Sequence, residues 1–142
     1  MMFKEPNTLL QTSVETQPEF SKLLGISIIS ATEKQVRAEL MVKKELANRN
    51  GVMHGGAIMG FADNIGGTAT FLNLEPEFSA TTIESKTNFL RPVRIGDMIT
   101  AECNVINKGK KIVVLQTTVF RSDEKVAAIV TQTQLKLKFI KK

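Results

Sequence analysis

The chain has 142 residues, 42% of them hydrophobic and 23% charged, with a net charge of +5. That is the profile of an ordinary soluble globular protein, long enough for one domain with a real core. No apolar run approaches the roughly 18 residues of a membrane span, and the opening MMFKEPNTLLQTSVE lacks the apolar centre of a secretory signal, so a cytoplasmic protein without a membrane segment is expected.

The single Cys103 excludes an internal disulfide framework, and one Cys with one His cannot build a His/Cys metal cluster within a subunit. Positive charge raises the question of nucleic acid. The basic residues are scattered, however, except for Lys108, Lys110 and Lys111 and the tail Lys136, Lys138, Lys141 and Lys142. With no Trp or Tyr to stack on bases, nucleic acid is not the expected partner. A small ligand carrying phosphates suits the same charge.

Residues 1–24 are read as an N-terminal helical segment ahead of a core over 25–142. Within that segment, 17–24 forms a short helix, with Pro18 near its first turn and Gly25 just past its end. Residues 26–33 read as a strand, Lys34-Gln35 as a turn, and Val36, Ala38, Leu40 and Val42 alternate with Arg37, Glu39, Met41 and Lys43 as in a half-buried strand. A loop over 46–53 leads to a helix from about 55 to 73. That helix is apolar on most sides and should be enclosed. Four strands follow, over 79–90, 98–107, 111–121 and 126–140, separated by turns rich in Gly, Pro, Asn and Asp. An antiparallel sheet wrapped around one long central helix satisfies this α+β order.

The segment NRNGVMHGGAIMGFADNIGGTAT, residues 48–70, concentrates the chemistry. It holds the only histidine, His54, followed at once by Gly55 and Gly56. A helix N-terminus presents unpaired N–H groups and partial positive charge, and glycine leaves those amides open to a carbonyl oxygen. That is what an oxyanion hole requires, although two glycines also permit a tight loop-to-helix turn. Asp63 stands among Phe61, Ala62 and Ile65, where a buried acid needs a partner or a task. It serves either as a structural anchor or as a general base or nucleophile at an acyl carbon. Nine residues at 1.5 Å rise separate it from His54 by about 13 Å along the axis. One subunit does not easily bring its own Asp63 to its own Gly55 amide, whereas two antiparallel copies of the helix could.

Asn48-x-x-Gly51-x-x-His54-Gly55-Gly56 with Asp63-Asn64 resembles the active-site signature of hotdog-fold acyl-CoA thioesterases, especially the phenylacetate-pathway and thioesterase-superfamily-member types. The strand–helix–strand order fits from about Leu23 to Leu137, and Thr87 to Pro92 and Ile95-Gly96-Asp97 match later pieces. The resemblance implies hydrolysis of an acyl-CoA thioester to a free acid and coenzyme A, with coenzyme A as part of the substrate and no separate cofactor or metal. Asp63 takes the place of the catalytic carboxylate, and Gly55 of the residue whose N–H polarises the thioester carbonyl. Asn48 helps hold water or substrate, and His54 contacts the carbonyl region or braces the loop. Thr82 falls where relatives carry a hydroxyl contributed across a dimer to orient water. Gly56, Arg91, Arg94, Lys108, Lys110 and Lys111 are the candidates for substrate binding, the basic ones for the phosphates of coenzyme A. A homodimer is the minimum assembly, and a homotetramer is compatible. An acyl-CoA-binding module and a hydroxyacyl-thioester dehydratase are the competing readings. Gly66 and Gly67 either line an acyl pocket or serve helix packing.

Overall fold

The structure, a computed structural model, describes residues 6–139. The end of the last expected strand at Ile140 and the tail residues Lys141 and Lys142 lie outside them. The N-terminal segment holds two helices, α1 (Pro6–Glu15) and α2 (Glu19–Leu24). Pro18 caps α2, and Gly25 ends it at φ 80°, its N–H reaching back to the carbonyls of Ser21 and Lys22. The first helix has weaker sequence signals: no acid in its first turn and no base in its last. It is held instead by packing on the sheet through the buried Leu9 and Ser13.

The strands are β1 (Ile26–Ala31), β2 (Gln35–Met41), β3 (Phe78–Phe89), β4 (Met98–Lys108), β5 (Ile112–Phe120) and β6 (Val126–Lys138). They form one sheet in the order β1-β2-β4-β5-β6-β3, every neighbouring pair antiparallel. In β2, Val36, Ala38 and Leu40 are fully buried while their neighbours are not, so period-2 alternation selects the inner face. The long helix α3 (Gly55–Phe71) lies on that face and touches β2 through β6. Its Phe61, Ala62, Ile65 and Ala69 are fully buried, and Leu40, Ile99, Leu115 and Val130 face the same core.

Two expectations are corrected. The helix stops at Phe71, because the Asn73 side chain takes the Ala69 carbonyl at 2.8 Å and ties the following turn to the Glu33 carbonyl at 2.8 Å. Nor is α3 enclosed all round. Gly56, Met59, Asp63 and Phe71 form an exposed stripe along one side, at intervals that keep to one face of a helix. Strand β3 is the sheet edge beside this stripe, with a bulge between Thr82 and Glu84 that leaves Ile83 outside the ladder and exposed. Bulges locally re-aim side chains, and this one adjoins Thr82.

Candidate active site

The N-terminus of α3 is organised by His54. Its Nδ1 accepts the Gly56 N–H at 2.8 Å, and its carbonyl accepts from Ala57 and Ile58 at 2.9 and 3.2 Å. Of the first-turn amides this leaves the Gly55 N–H, for which no acceptor lies within hydrogen-bonding distance among the described residues. Gly55 is half-buried on a cleft of about 250 Å³ that also holds Asn48, Ile58, Phe89 and Arg91. A side chain at position 55 would press on the Phe89 ring at 3.3 Å, so only glycine keeps this amide open without disturbing the ring.

His54 thus braces the loop as a helix cap. Asn48 is also part of the loop's frame: its Oδ1 accepts from Asn50 at 2.9 Å and Val52 at 3.3 Å. Its Nδ2 makes no hydrogen bond among the described residues and is the group it has left for a ligand. Arg91 borders the same cleft and is anchored by Nη1 to the Val126 carbonyl at 2.7 Å. Arg94 lies on a neighbouring cleft of about 400 Å³ beside Arg121 and Asp123. Arg121 donates to Asp123, and that hydrogen bond holds the Asp123 carboxyl well below the usual carboxylate range. The three lysines are elsewhere. Lys108 ends β4 beside Glu33 and Phe78, and Lys111 accepts from the Lys136 N–H at 2.8 Å, at the end of the sheet away from Gly55. One chain therefore does not gather all the basic candidates at one site.

Asp63 occupies a different cleft, of about 520 Å³, with Gln17, Asn64, Gly67, Phe71 and Thr82. It was expected to be buried; it is exposed on the open stripe of α3. Thr82 was expected to come from across a dimer. Its Oγ1 instead donates to Oδ1 of Asp63 in the same chain at 2.7 Å. Two further groups complete the cluster. Gln132 Nε2 donates to the same Oδ1 at 2.6 Å, and Gln134 Nε2 donates to Thr82 Oγ1 at 2.7 Å. Both glutamines are buried on β6. The sequence reading missed them, yet a signal exists: in VAAIVTQTQLKLK they share the parity of the buried Ala128 and Val130. Polar residues in core phase on a strand need a polar partner inside.

Gly67 has open space beside it, and Gly66 lies against Gln132. The cleft at Asp63 continues past Gly67 and Phe71 into a more apolar one of about 320 Å³ that adds Leu74, Phe78 and Phe139. Phe61 and Ile65, by contrast, are core residues.

The family model of the thioesterase superfamily matches residues 50–128. The acyl-coenzyme A thioesterase PaaI of Escherichia coli is 32% identical over 110 residues, covering 77% of this chain and 76% of that one. The crystal structure of a thioesterase from Haemophilus influenzae superposes with a TM-score of 0.85 at 28% identity, covering 99% of this chain and 98% of the other. A Streptococcus mutans protein whose structure holds acetyl CoA shares the fold, with a TM-score of 0.75, 24% identity and coverage of 82% and 91%. The chain belongs to the thioesterase superfamily, and its sheet wrapped on one helix is the hotdog fold of those structures. No helix among the described residues is long and apolar enough to cross a membrane.

Proposed function

We propose that the protein hydrolyses acyl-CoA thioesters to a carboxylic acid and free coenzyme A, at a site completed by two copies of the chain. The observation that carries this reading is the setting of Asp63. Its Oδ1 takes two hydrogen bonds, while Oδ2 has no partner among the described residues and opens on a cleft. Thr82 accepts from Gln134, so its one proton points at Asp63. Its second lone pair is left to accept from water. A water held between Thr82 Oγ1 and Asp63 Oδ2 would direct an oxygen lone pair outward.

In this reading Asp63 is the general base. As the water oxygen attacks the thioester carbon, its proton passes to Oδ2 and the carbonyl electrons move onto oxygen. The Gly55 N–H and the α3 N-terminus stabilise that oxyanion. Collapse breaks the C–S bond and expels the coenzyme A thiolate. The thiolate takes the proton from Asp63, leaving the acid and the free thiol. The apolar cleft beyond Gly67 suits the acyl group. Arg91 and Arg94, at the Gly55 end, are the proposed phosphate contacts. The protein groups, water and the thioester account for every atom transferred.

The same chain's Gly55 and Asp63 line separate clefts, about 12 Å apart along the helix. A second copy across the β3 edge would bring them together in pairs. That face carries exposed apolar groups suited to burial, Ile83, Phe89 and Leu90 with Met59 and Phe71 of α3.

The test is thiol release from a panel of acyl-CoAs, with Asp63→Asn beside the wild type. The variant should lose about 10²- to 10⁴-fold in kcat. Binding without turnover by the wild type would favour a binding module. Undiminished hydrolysis by Asp63→Asn would remove Asp63 from the mechanism. In a single turnover in H₂¹⁸O, general-base catalysis puts the label in the product acid and none in Asp63, whereas label in the aspartate shows that a mixed anhydride formed by attack of Asp63 was opened by water at the aspartyl carbon.

A further inference from the structure

We infer that Gln132 is a positioning residue that decides which oxygen of Asp63 reacts, with Gln134 doing the same for the Thr82 proton. The inference rests on the proposed role of Asp63. A carboxylate only accepts hydrogen bonds, so the amide NH₂ of Gln132 must face Asp63, as it does at 2.6 Å. Its carbonyl Oε1 is then forced the other way, into the protein. There it is buried, has no hydrogen-bond partner among the described residues, and lies against Gly66. A Cβ at position 66 would collide with it.

A buried amide that leaves one of its two polar ends unsatisfied is a poor choice for stability alone. An apolar side chain of the same length would fill the space between β6 and α3 without that cost. What the amide supplies is a rigid donor. Gln132 comes from the middle of a strand paired on both sides, to β5 and β3, whereas Asp63 stands on an exposed helix face. The strand thereby fixes the rotation of a carboxylate that solvent would otherwise leave free. Oδ1 is occupied by Gln132 and Thr82, which leaves Oδ2, without a partner among the described residues, for the cleft that Asp63 lines. Gln134, also buried, occupies one lone pair of Thr82 and thereby pins its hydroxyl proton on Oδ1. Glycine at 66 is the space that lets Gln132 reach.

The experiment uses the full chain and compares Gln132→Met with Asp63→Asn. Methionine keeps the length and volume but cannot donate, and it removes the unsatisfied carbonyl. The expected result is a Tm equal to or above wild type, KM within about twofold, and kcat lower by about 10- to 100-fold, the scale of a misplaced reacting group. As a readout independent of that variant's folding, the side-chain amide NMR signal of Gln132 in the wild type should shift on Asp63→Asn. A fully active Asp63→Asn protein overturns the thioesterase mechanism and this inference together. An inactive Asp63→Asn beside a Gln132→Met of wild-type kcat, or a Gln132 amide signal unmoved by Asp63→Asn, overturns this inference alone.

Discussion

Asp63 and Cys103 show how much the surroundings of one residue decide. Asp63 is an acid in an apolar stretch, yet it lies on the open side of α3 and hydrogen-bonds through one oxygen. Cys103 is fully buried on β4, and burial pushes its thiol up to about 11 from an ordinary 9.0. It is therefore no nucleophile at neutral pH. The folded chain keeps this proton where the unfolded chain loses it. The contribution is intact below pH 9 and is lost as pH rises from about 9 to about 11. Its full size is on the order of 3 kcal/mol. Urea titrations at pH 8 and pH 11 should show a smaller pH-dependent loss in Cys103→Ala than in wild type. An identical loss in both would refute it. The odd acid and the lone thiol were both visible in the sequence. Their exposure was not, because it depends on which face of α3 the sheet covers and which face of the sheet α3 covers.

Among the elements, α3 is the part that the others hold in place. Gln17, between α1 and α2, accepts from Asn64 Nδ2 and Ser21 Oγ at 2.8 Å each and donates to Ser13 O at 2.7 Å and Thr68 Oγ1 at 3.1 Å. One amide thus ties both N-terminal helices to the helix that carries Asp63. Gln17→Leu should leave the sheet intact and raise amide exchange over Glu19–Leu24, the loss being about 1–3 kcal/mol locally. Equal protection in the variant would mean that packing alone holds these helices. Strand limits were legible within a residue or two, because alternation and turn residues are local signals. The helix α1 was not legible as a separate element, because its support comes from packing on β1 and not from its own charges.

At the scale of the molecule, Gly55 and Asp63, the two halves of the proposed site, line separate clefts of one chain. Gly55→Pro removes the N–H at a position where proline suits the helix, and sets the same Cβ against Phe89 as Gly55→Ala does, so it should cost about 10²- to 10³-fold more in kcat than Gly55→Ala. If two copies complete each site, mixing Gly55→Pro with Asp63→Asn yields mixed dimers in which one site is intact and the other carries both defects. Equal mixing after unfolding and refolding should then restore up to about a quarter of wild-type activity. Two inactive variants that stay inactive together would place the site within one chain. The same experiment tests the β3 face as the interface, since charging it with Ile83→Lys should abolish the rescue.

By itself the sequence determined the antiparallel sheet on one helix, the start of that helix at Gly55, and Asp63 as the acid of interest. Each is written in periodicity or in neighbours a few residues away. The tertiary structure decided what touches Asp63. The amide of Gln132, 69 residues on, and the hydroxyl of Thr82, 19 residues on, reach it only because β6 and β3 pair in one register with a bulge at the right place. It also decided that the three lysines stand at the far end from Gly55 and that His54 spends its Nδ1 on a helix cap. Register and burial are set by the whole sheet closing on α3, a balance of many contacts that no local pattern encodes.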